Sequence, residues 1–237
     1  MRNTTTIALK EFKFYLASPM TYVVTGIFLL LTGFFFSTSP TTYFETSIRG
    51  LWEFWGTLLL LLLASVLTMR LLAEERKMGT LELLLTAPVR DSEVIIGKFL
   101  GSLGILTAML ALTFYYPILL ISFGDPDMGP IATSYLGLFL LSCTALAVGL
   151  FASSLTSNQI VAAVVAGGFL CALWFLGMLA DLLPEAMGEV LSYLSLYYHF
   201  PDFMRGVIDT RAIIYYLSIT VLFLFLAIRS LESSRWS

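Results

Sequence analysis

Apolar residues run through this chain in six blocks, each near the ~20 residues that carry a helix across a bilayer. They predict spans at 20–37, 53–72, 97–123, 133–151, 159–180 and 212–229. Polar stretches separate them: a short loop over 40–52, a charged loop over 73–96, the turn Gly124-Asp125-Pro126-Asp127-Met128-Gly129-Pro130, and a second turn from Ala152 to Gln159. Residues 3–17 follow a different pattern. Ala8, Phe12, Tyr15 and Leu16 cluster on one side of a helical wheel and Thr6, Lys10 and Lys13 on the other, which predicts an interfacial helix ended by Ser18-Pro19. Segment 181–211 holds a second amphipathic pattern, with Leu183, Met187, Val190, Leu191 and Leu194 at helical spacing and Glu185 and Glu189 among them. It is expected to form outer helices, one of them an arm of a re-entrant hairpin. The apolar stripe should then pack on the outer ends of the fifth and sixth spans, leaving the glutamates to face water or a partner. The fold class expected is a single all-α membrane domain over 1–237.

Charge is concentrated between Arg70 and Gly101, where it recurs every few positions. Gly79 should interrupt a helix leaving the second span, because glycine weakens helix interiors. Thr80 can cap a new short helix over 81–86, which Pro88 closes from beyond its end. Leu81, Leu84 and Leu85 share one face of that helix while Glu82 points elsewhere. Asp91 or Ser92 is the expected cap of the helix that follows. A short helix with an apolar face, held between two charged membrane exits, fits a groove on a soluble partner. The alternative is a helix lying on the lipid surface. A binder of anionic lipid should be basic, whereas here Glu74, Glu75, Glu82, Asp91 and Glu93 offset Arg70, Arg76, Lys77, Arg90 and Lys98.

Composition supports the membrane reading. Of 237 residues, 58% are hydrophobic and 12% charged, about half the charged share of a soluble domain. Mean hydropathy is +0.89. The first apolar block is expected to stay as a span, since it exceeds the ~7–15 residues of a signal-peptide core. No extended basic patch points to nucleic acid. With a cytoplasmic N-terminus, Arg2, Lys10, Lys13, Arg70, Arg76, Lys77, Arg90, Lys98, Arg229 and Arg235 lie inside and only Arg49, Arg205 and Arg211 outside. That asymmetry places both termini in the cytoplasm.

The charged loop also carries a resemblance. Glu75, Arg76, Gly79-Thr80-Leu81-Glu82, Leu84-Leu85, Ala87-Pro88-Val89 and Gly97-Lys98 resemble the cytoplasmic loop of ABC-2 type permeases. The resemblance implies a type V exporter-like fold in which residues 3–17 form an elbow helix. It also implies that Gly79, Thr80, Leu81, Glu82, Leu84, Leu85 and Pro88 belong to a coupling helix docked on a separate ATP-binding subunit. So small a chain is expected to pair with a second copy around the pathway, and the resemblance implies a homodimer, or a heterodimer with a similar permease, carrying two ATPase subunits that bind the ATP and Mg. Further along, Tyr197-Tyr198-His199-Phe200, Asp202-Phe203, Arg205-Gly206-Val207-Ile208-Asp209 and Tyr215-Tyr216-Leu217-Ser218 resemble the gliding-motility-type and nitrous-oxide-reductase-maturation-type branch. Relatives there work beside an extracytoplasmic auxiliary protein in the bacterial inner membrane. The resemblance therefore leaves two functions open: export of a substrate, or transmission of ATP-driven motion to an outer partner with nothing crossing.

Other chemistry is thin. His199 is the sole histidine, which leaves no histidine pair for a metal. An aromatic-belt role fits it better than ligation. A copper role stays open through the maturation-type relatives, although Met178, Met187 and Met204 have no regular ligand spacing. Asp181, Glu185, Glu189, Asp202 and Asp209 make the outer side acidic, so Glu185, Glu189, His199, Phe200, Asp202 and Arg205 form the expected outer gate or partner surface. Cys143 and Cys171 read as reduced thiols within apolar segments. Gly97-Lys98 lacks the upstream glycine and the following Ser or Thr of a phosphate loop. No catalytic set is present, and no cofactor is expected in this chain.

Three crossings separate Lys77 from Glu189. A cysteine replacing Lys77 should therefore react with impermeant reagent only from the cytoplasm, and one replacing Glu189 only from outside. Labelling of both from one face would overturn the order of the spans.

Overall fold

The computed structural model describes residues 2–38, 47–80, 89–180 and 182–233, and every regular element among them is helical. Helix α1 (Arg2–Ala17) passes through the single residue Ser18 into α2 (Pro19–Thr38). Pro19 suits that first position, where the amide it lacks would have no intrahelical partner. A short α3 (Arg49–Trp52) leads into α4 (Trp55–Thr68). A Cβ on Gly56 would meet the Leu51 carbonyl and the Trp52 ring, so this tight corner requires glycine.

The second apolar block is not one helix. It turns through Met69–Leu72 and restarts as α5 (Ala73–Lys77). A side chain from elsewhere in the bundle stabilises the restart. The Ser153 hydroxyl accepts from the amides of Leu72 and Ala73, both at 3.1 Å, and donates to the Met69 carbonyl at 3.2 Å. It satisfies donors that a helix start leaves open.

The third block also breaks, between α6 (Asp91–Leu112) and α7 (Tyr115–Phe123). Pro117 gives the reason: its ring excludes the carbonyl four residues earlier, at Thr113, and it has no amide to donate. The Thr113 hydroxyl turns back to the Leu110 carbonyl at 2.6 Å and meets the Tyr135 hydroxyl at 3.1 Å. Helix α8 (Met128–Leu155) starts earlier than expected. The Asp127 carboxylate caps it by accepting from the Gly129 amide at 3.0 Å, so Met128, Gly129 and Pro130 form its first turn instead of a loop. Helices α9 (Gln159–Ala180), α10 (Glu185–Leu194), α11 (Pro201–Met204) and α12 (Thr210–Ser233) complete the chain. Among the described residues, six helical stretches are long and apolar enough to cross a membrane: Pro19–Thr38, Trp55–Lys77, Asp91–Ser122, Met128–Leu155, Gln159–Ala180 and Thr210–Ser233.

Helix α8 is the central element, mostly buried and packed by α4, α6, α9, α11 and α12. Small and hydroxylated residues let its neighbours approach, as helix packing in lipid requires. Gly137 receives the Phe203 ring and Gly149 receives Thr68. Thr144 donates to the Tyr216 carbonyl at 3.1 Å and meets Thr220 at 3.2 Å. Helix α2 is peripheral, with Val23, Ile27, Leu30 and Phe34 exposed. Its buried Thr32 shares a 2.9 Å hydrogen bond with Tyr116.

Glycines at the start of α6 admit a close neighbour, which is α1. Cβ atoms on Gly97 and Gly101 would strike Ile7 and Glu11, and Gly104 faces Phe12. The buried face of α1 thus runs through Glu11 and Tyr15, flanked by Ile7, Ala8 and Phe12, while Leu16 is exposed. The wheel grouped Leu16 with Tyr15 and gave Glu11 no role; packing against α6 buries Glu11 with Tyr15 and leaves Leu16 exposed beside them.

Gly149→Val should drive a branched side chain into Thr68 and destabilise the bundle by about 1–3 kcal/mol. A lowered thermal midpoint in detergent reads this out. Gly26→Ala, where nothing lies within 4 Å, should keep or slightly raise the midpoint, because alanine favours a helix interior over glycine.

Candidate functional site

Two assemblies of polar side chains stand out, one at each end of the bundle. The first surrounds the charged loop. Lys98 lies two turns into α6 and is 2% exposed. Its Nζ is 2.8 Å from Glu11 Oε1 on α1 and 2.8 Å from Glu75 Oε1 on α5. A buried ammonium is tolerated when it is paired and hydrogen-bonded, and here two carboxylates share it. Close approach at Gly97 and Gly101 is what brings Glu11 within reach. Three segments distant in sequence thus meet at one cation.

Arg70 supports the same corner. Its guanidinium lies 4.4 Å from the Tyr15 ring centroid and 5.1 Å from that of Phe14, within cation–π range. It donates to the Ser18 hydroxyl at 3.1 Å. The Tyr15 hydroxyl donates to the Leu67 carbonyl at 2.6 Å, and burial pushes this phenol well above its usual range. A cavity of about 460 Å³ opens beside these groups, lined by Lys10, Glu11, Glu74, Glu75, Thr80 and Lys98.

Gly79 has φ +69°, the left-handed conformation that ends α5. Its role is a helix stop that a side chain would strain, beyond the weakened interior expected from sequence. Thr80 donates from its hydroxyl to the Glu75 carbonyl at 3.3 Å. Leu81, Glu82, Leu84, Leu85 and Pro88, with the helix expected over 81–86, lie outside the described residues. The cap of α6 is Arg90, not Asp91 or Ser92. Glu93 reaches back to accept the Arg90 amide at 3.2 Å, and Asp91 is already helical. Acidic residues in that first turn oppose the positive helix pole.

The second assembly occupies the opposite end, around α10 and α11. The chain after α10 is tied to the spans by hydroxyls. Tyr216 donates to the Leu196 carbonyl at 2.8 Å, Tyr215 to Leu194 at 2.5 Å, and Ser195 to Trp174 at 3.1 Å. His199 stacks on Tyr215, with ring centroids 4.0 Å apart and planes 7° from parallel. Its Nδ1 donates to the Ser195 carbonyl at 3.2 Å. Burial lowers the imidazole pKa below its usual value, against the opposing pull of that hydrogen bond and of Asp209 and Asp202. Phe200 is fully buried. Asp202 and Arg205 are 3.9 Å apart and solvent-exposed, a pair worth little by itself. Gly206, at φ +88°, turns the chain after α11, and the Arg49 Nε donates to the Met204 carbonyl at 2.9 Å.

These residues share a pocket of about 580 Å³ that includes His199, Asp202, Arg205, Asp209 and Arg211. Glu189 is exposed on α10, which begins at Glu185. Met178 lines the pocket, whereas Met204 is buried and Met187 exposed. One expectation fails here. Leu183, Met187, Val190 and Leu194 are all exposed instead of packing on the fifth and sixth spans. The contact is made by Gly188, where a Cβ would lie 2.9 Å from the Ala180 carbonyl. The small residue, not the apolar stripe, folds α10 onto α9.

Sequence reasoning missed the Lys98 cluster. The signal was present: Glu11 falls between Ile7 and Tyr15, at the edge of the apolar side of the wheel, and Lys98 sits inside an apolar block. Two opposite charges, each alone on an apolar face, invite pairing.

Residues 5–199 match the model of a protein family described as ABC-2 family transporter protein. A comparison with curated proteins finds no match.

Lys98→Met removes the cation and leaves Glu11 and Glu75 buried together. Breaking a buried pair in this way should destabilise the protein by about 3–5 kcal/mol, seen as a lowered thermal midpoint in detergent. Glu11→Leu added to Lys98→Met should recover part of the loss. An unchanged midpoint in the single variant would remove the cluster's structural role.

Proposed function

The chain belongs to the ABC-2 transporter family, and from that premise we propose that it is the membrane-spanning permease subunit of an ATP-binding cassette transporter, driven by a separate ATPase subunit. The observation that carries this reading is the Lys98 cluster. It clamps α5 and α6, the two helices that flank segment 81–88, and joins both to α1. A load applied to that segment by a soluble partner would reach three elements together instead of being absorbed in a loose loop. Leu81, Leu84 and Leu85 supply the apolar face for the partner, with Gly79 and Thr80 setting the departure of the chain and Pro88 its return.

ATP and Mg would be bound by the partner. In this chain Lys98 is committed to two carboxylates, which suits a structural cation better than a phosphate ligand. The exposed apolar faces of α2, α9 and α12, among them Leu30, Val164 and Val221, would meet lipid and a second permease copy. The complex then holds two permeases and two ATPase subunits in a cytoplasmic membrane, with both termini inside. The Tyr197-Tyr198-His199-Phe200 sequence, by its resemblance, favours the gliding-motility-type and nitrous-oxide-reductase-maturation-type branch.

Each of the three leucines contributes about 1.5–3 kcal/mol if fully buried at such an interface. Leu84→Asp should therefore release the ATPase subunit on co-purification, or uncouple its turnover, while the permease still inserts. Normal recovery together with normal coupled activity would sink the docking assignment.

A further inference from the structure

The pocket between α10, α11 and the start of α12 has the makings of a ligand site that ATPase docking does not use. Its sides differ in chemistry. Tyr193, Tyr197 and Tyr198 form an aromatic wall, and Gly177 and Met178 come from the last turn of α9 and Ala212 from the first turn of α12. Arg205 and Arg211 stand at the polar side with Asp202 and Asp209.

Both arginines are exposed at the pocket, and neither is committed to a close carboxylate partner among the described residues. Arg205 directly follows α11, whose end is fixed by the Gly206 turn and by the Arg49 bond to Met204. It meets only the distant Asp202 carboxylate among the described residues, at 3.9 Å. Arg211 lies in the first turn of α12 and adds a cation to the positive pole of that helix, an unfavourable place unless an anion meets it. Asp209 caps the backbone there, accepting from the Arg211 amide at 2.8 Å. No bond to the Arg211 guanidinium occurs among the described residues. Burial lowers the His199 pKa and so favours its neutral form.

We propose that this pocket binds the headgroup of a zwitterionic phospholipid from the adjoining leaflet. The phosphodiester is taken by Arg205 and Arg211, whose guanidinium forks suit phosphate oxygens. The ammonium lies towards Asp202 and the tyrosine wall, where a cation over an aromatic face is attracted. The acyl chains run down the exposed apolar surface of the span ends, past Met178, Leu179, Ile214 and Leu217. Two cations and two carboxylates balance, so a headgroup carrying both signs fits better than a purely anionic one. The tyrosines sit where such side chains are enriched, at the boundary between hydrocarbon and water.

The test uses the full chain in detergent with short-chain phosphatidylethanolamine, its retention followed by native mass spectrometry. Glycerophosphoethanolamine and inorganic phosphate are run in parallel. The lipid should bind, and Arg205→Ala with Arg211→Ala should weaken binding at least about tenfold, the scale of a lost charge-assisted contact. Tyr198→Ala, an exposed wall position, should weaken it as well, with both variants keeping the parent thermal midpoint. Lipid retention unchanged in the double variant would overturn the proposal. Inorganic phosphate held as tightly as the lipid would overturn it in favour of a plain anion site. Capture of a soluble extracytoplasmic protein that needs both arginines, with no lipid effect, would overturn it in favour of a protein dock.

Discussion

The interior charge at Lys98 constrains everything around the loop end. An ammonium that is 2% exposed cannot be left unpaired in an apolar bundle. Its two carboxylate partners come from the N-terminal helix and from the short helix before segment 81–88. That requirement fixes α1 against α6, which in turn demands glycine at 97 and 101. It also explains why α1 buries an acidic residue and leaves Leu9, Phe14 and Leu16 exposed. Lipid can cover those three residues, but it offers no partner to a buried carboxylate.

A second constraint is the central place of α8. It touches most other spans, so its surface is divided among them and leaves little room for large side chains. Glycine, serine and threonine occupy the crossings, and the hydroxyls donate to carbonyls of α11, of α12 and of the turn after α4. Ser153 shows the economy of this design, since one hydroxyl both ends the turn after α4 and starts α5.

The six spans were legible because transfer free energy sums over ~20 residues and tolerates local errors. Finer features depended on single residues. Pro117 broke the third span, and the hydropathy of 97–123 concealed it. The turn at Met69–Leu72 needs a hydroxyl from α8, which no local pattern reveals. The stripe of α10 was misplaced for a deeper reason. In water an apolar face must be covered by protein, but beside a membrane lipid covers it equally well, so periodicity gives the face without its partner. At the loop end, Gly79 was read as a break while its positive φ was not, and residues 81–88 lie outside the described set. At the other end, the motif around His199 was found from sequence. Its stacking on Tyr215, and the pocket beside it, required three dimensions.

The join between α1 and α2 has a mechanical consequence. Ser18 alone separates them, and hydrogen bonds run on through it, from its amide to Tyr15 and from Thr21 to its carbonyl. The two helices therefore behave as one bent arm. Its short limb is held in the Lys98 cluster, and its long limb, of 20 residues, spans about 30 Å. Each degree of turn at Pro19 carries Thr38 sideways by about half an ångström at that length. A displacement too small to break an ion pair at one membrane face becomes a visible shift at the other.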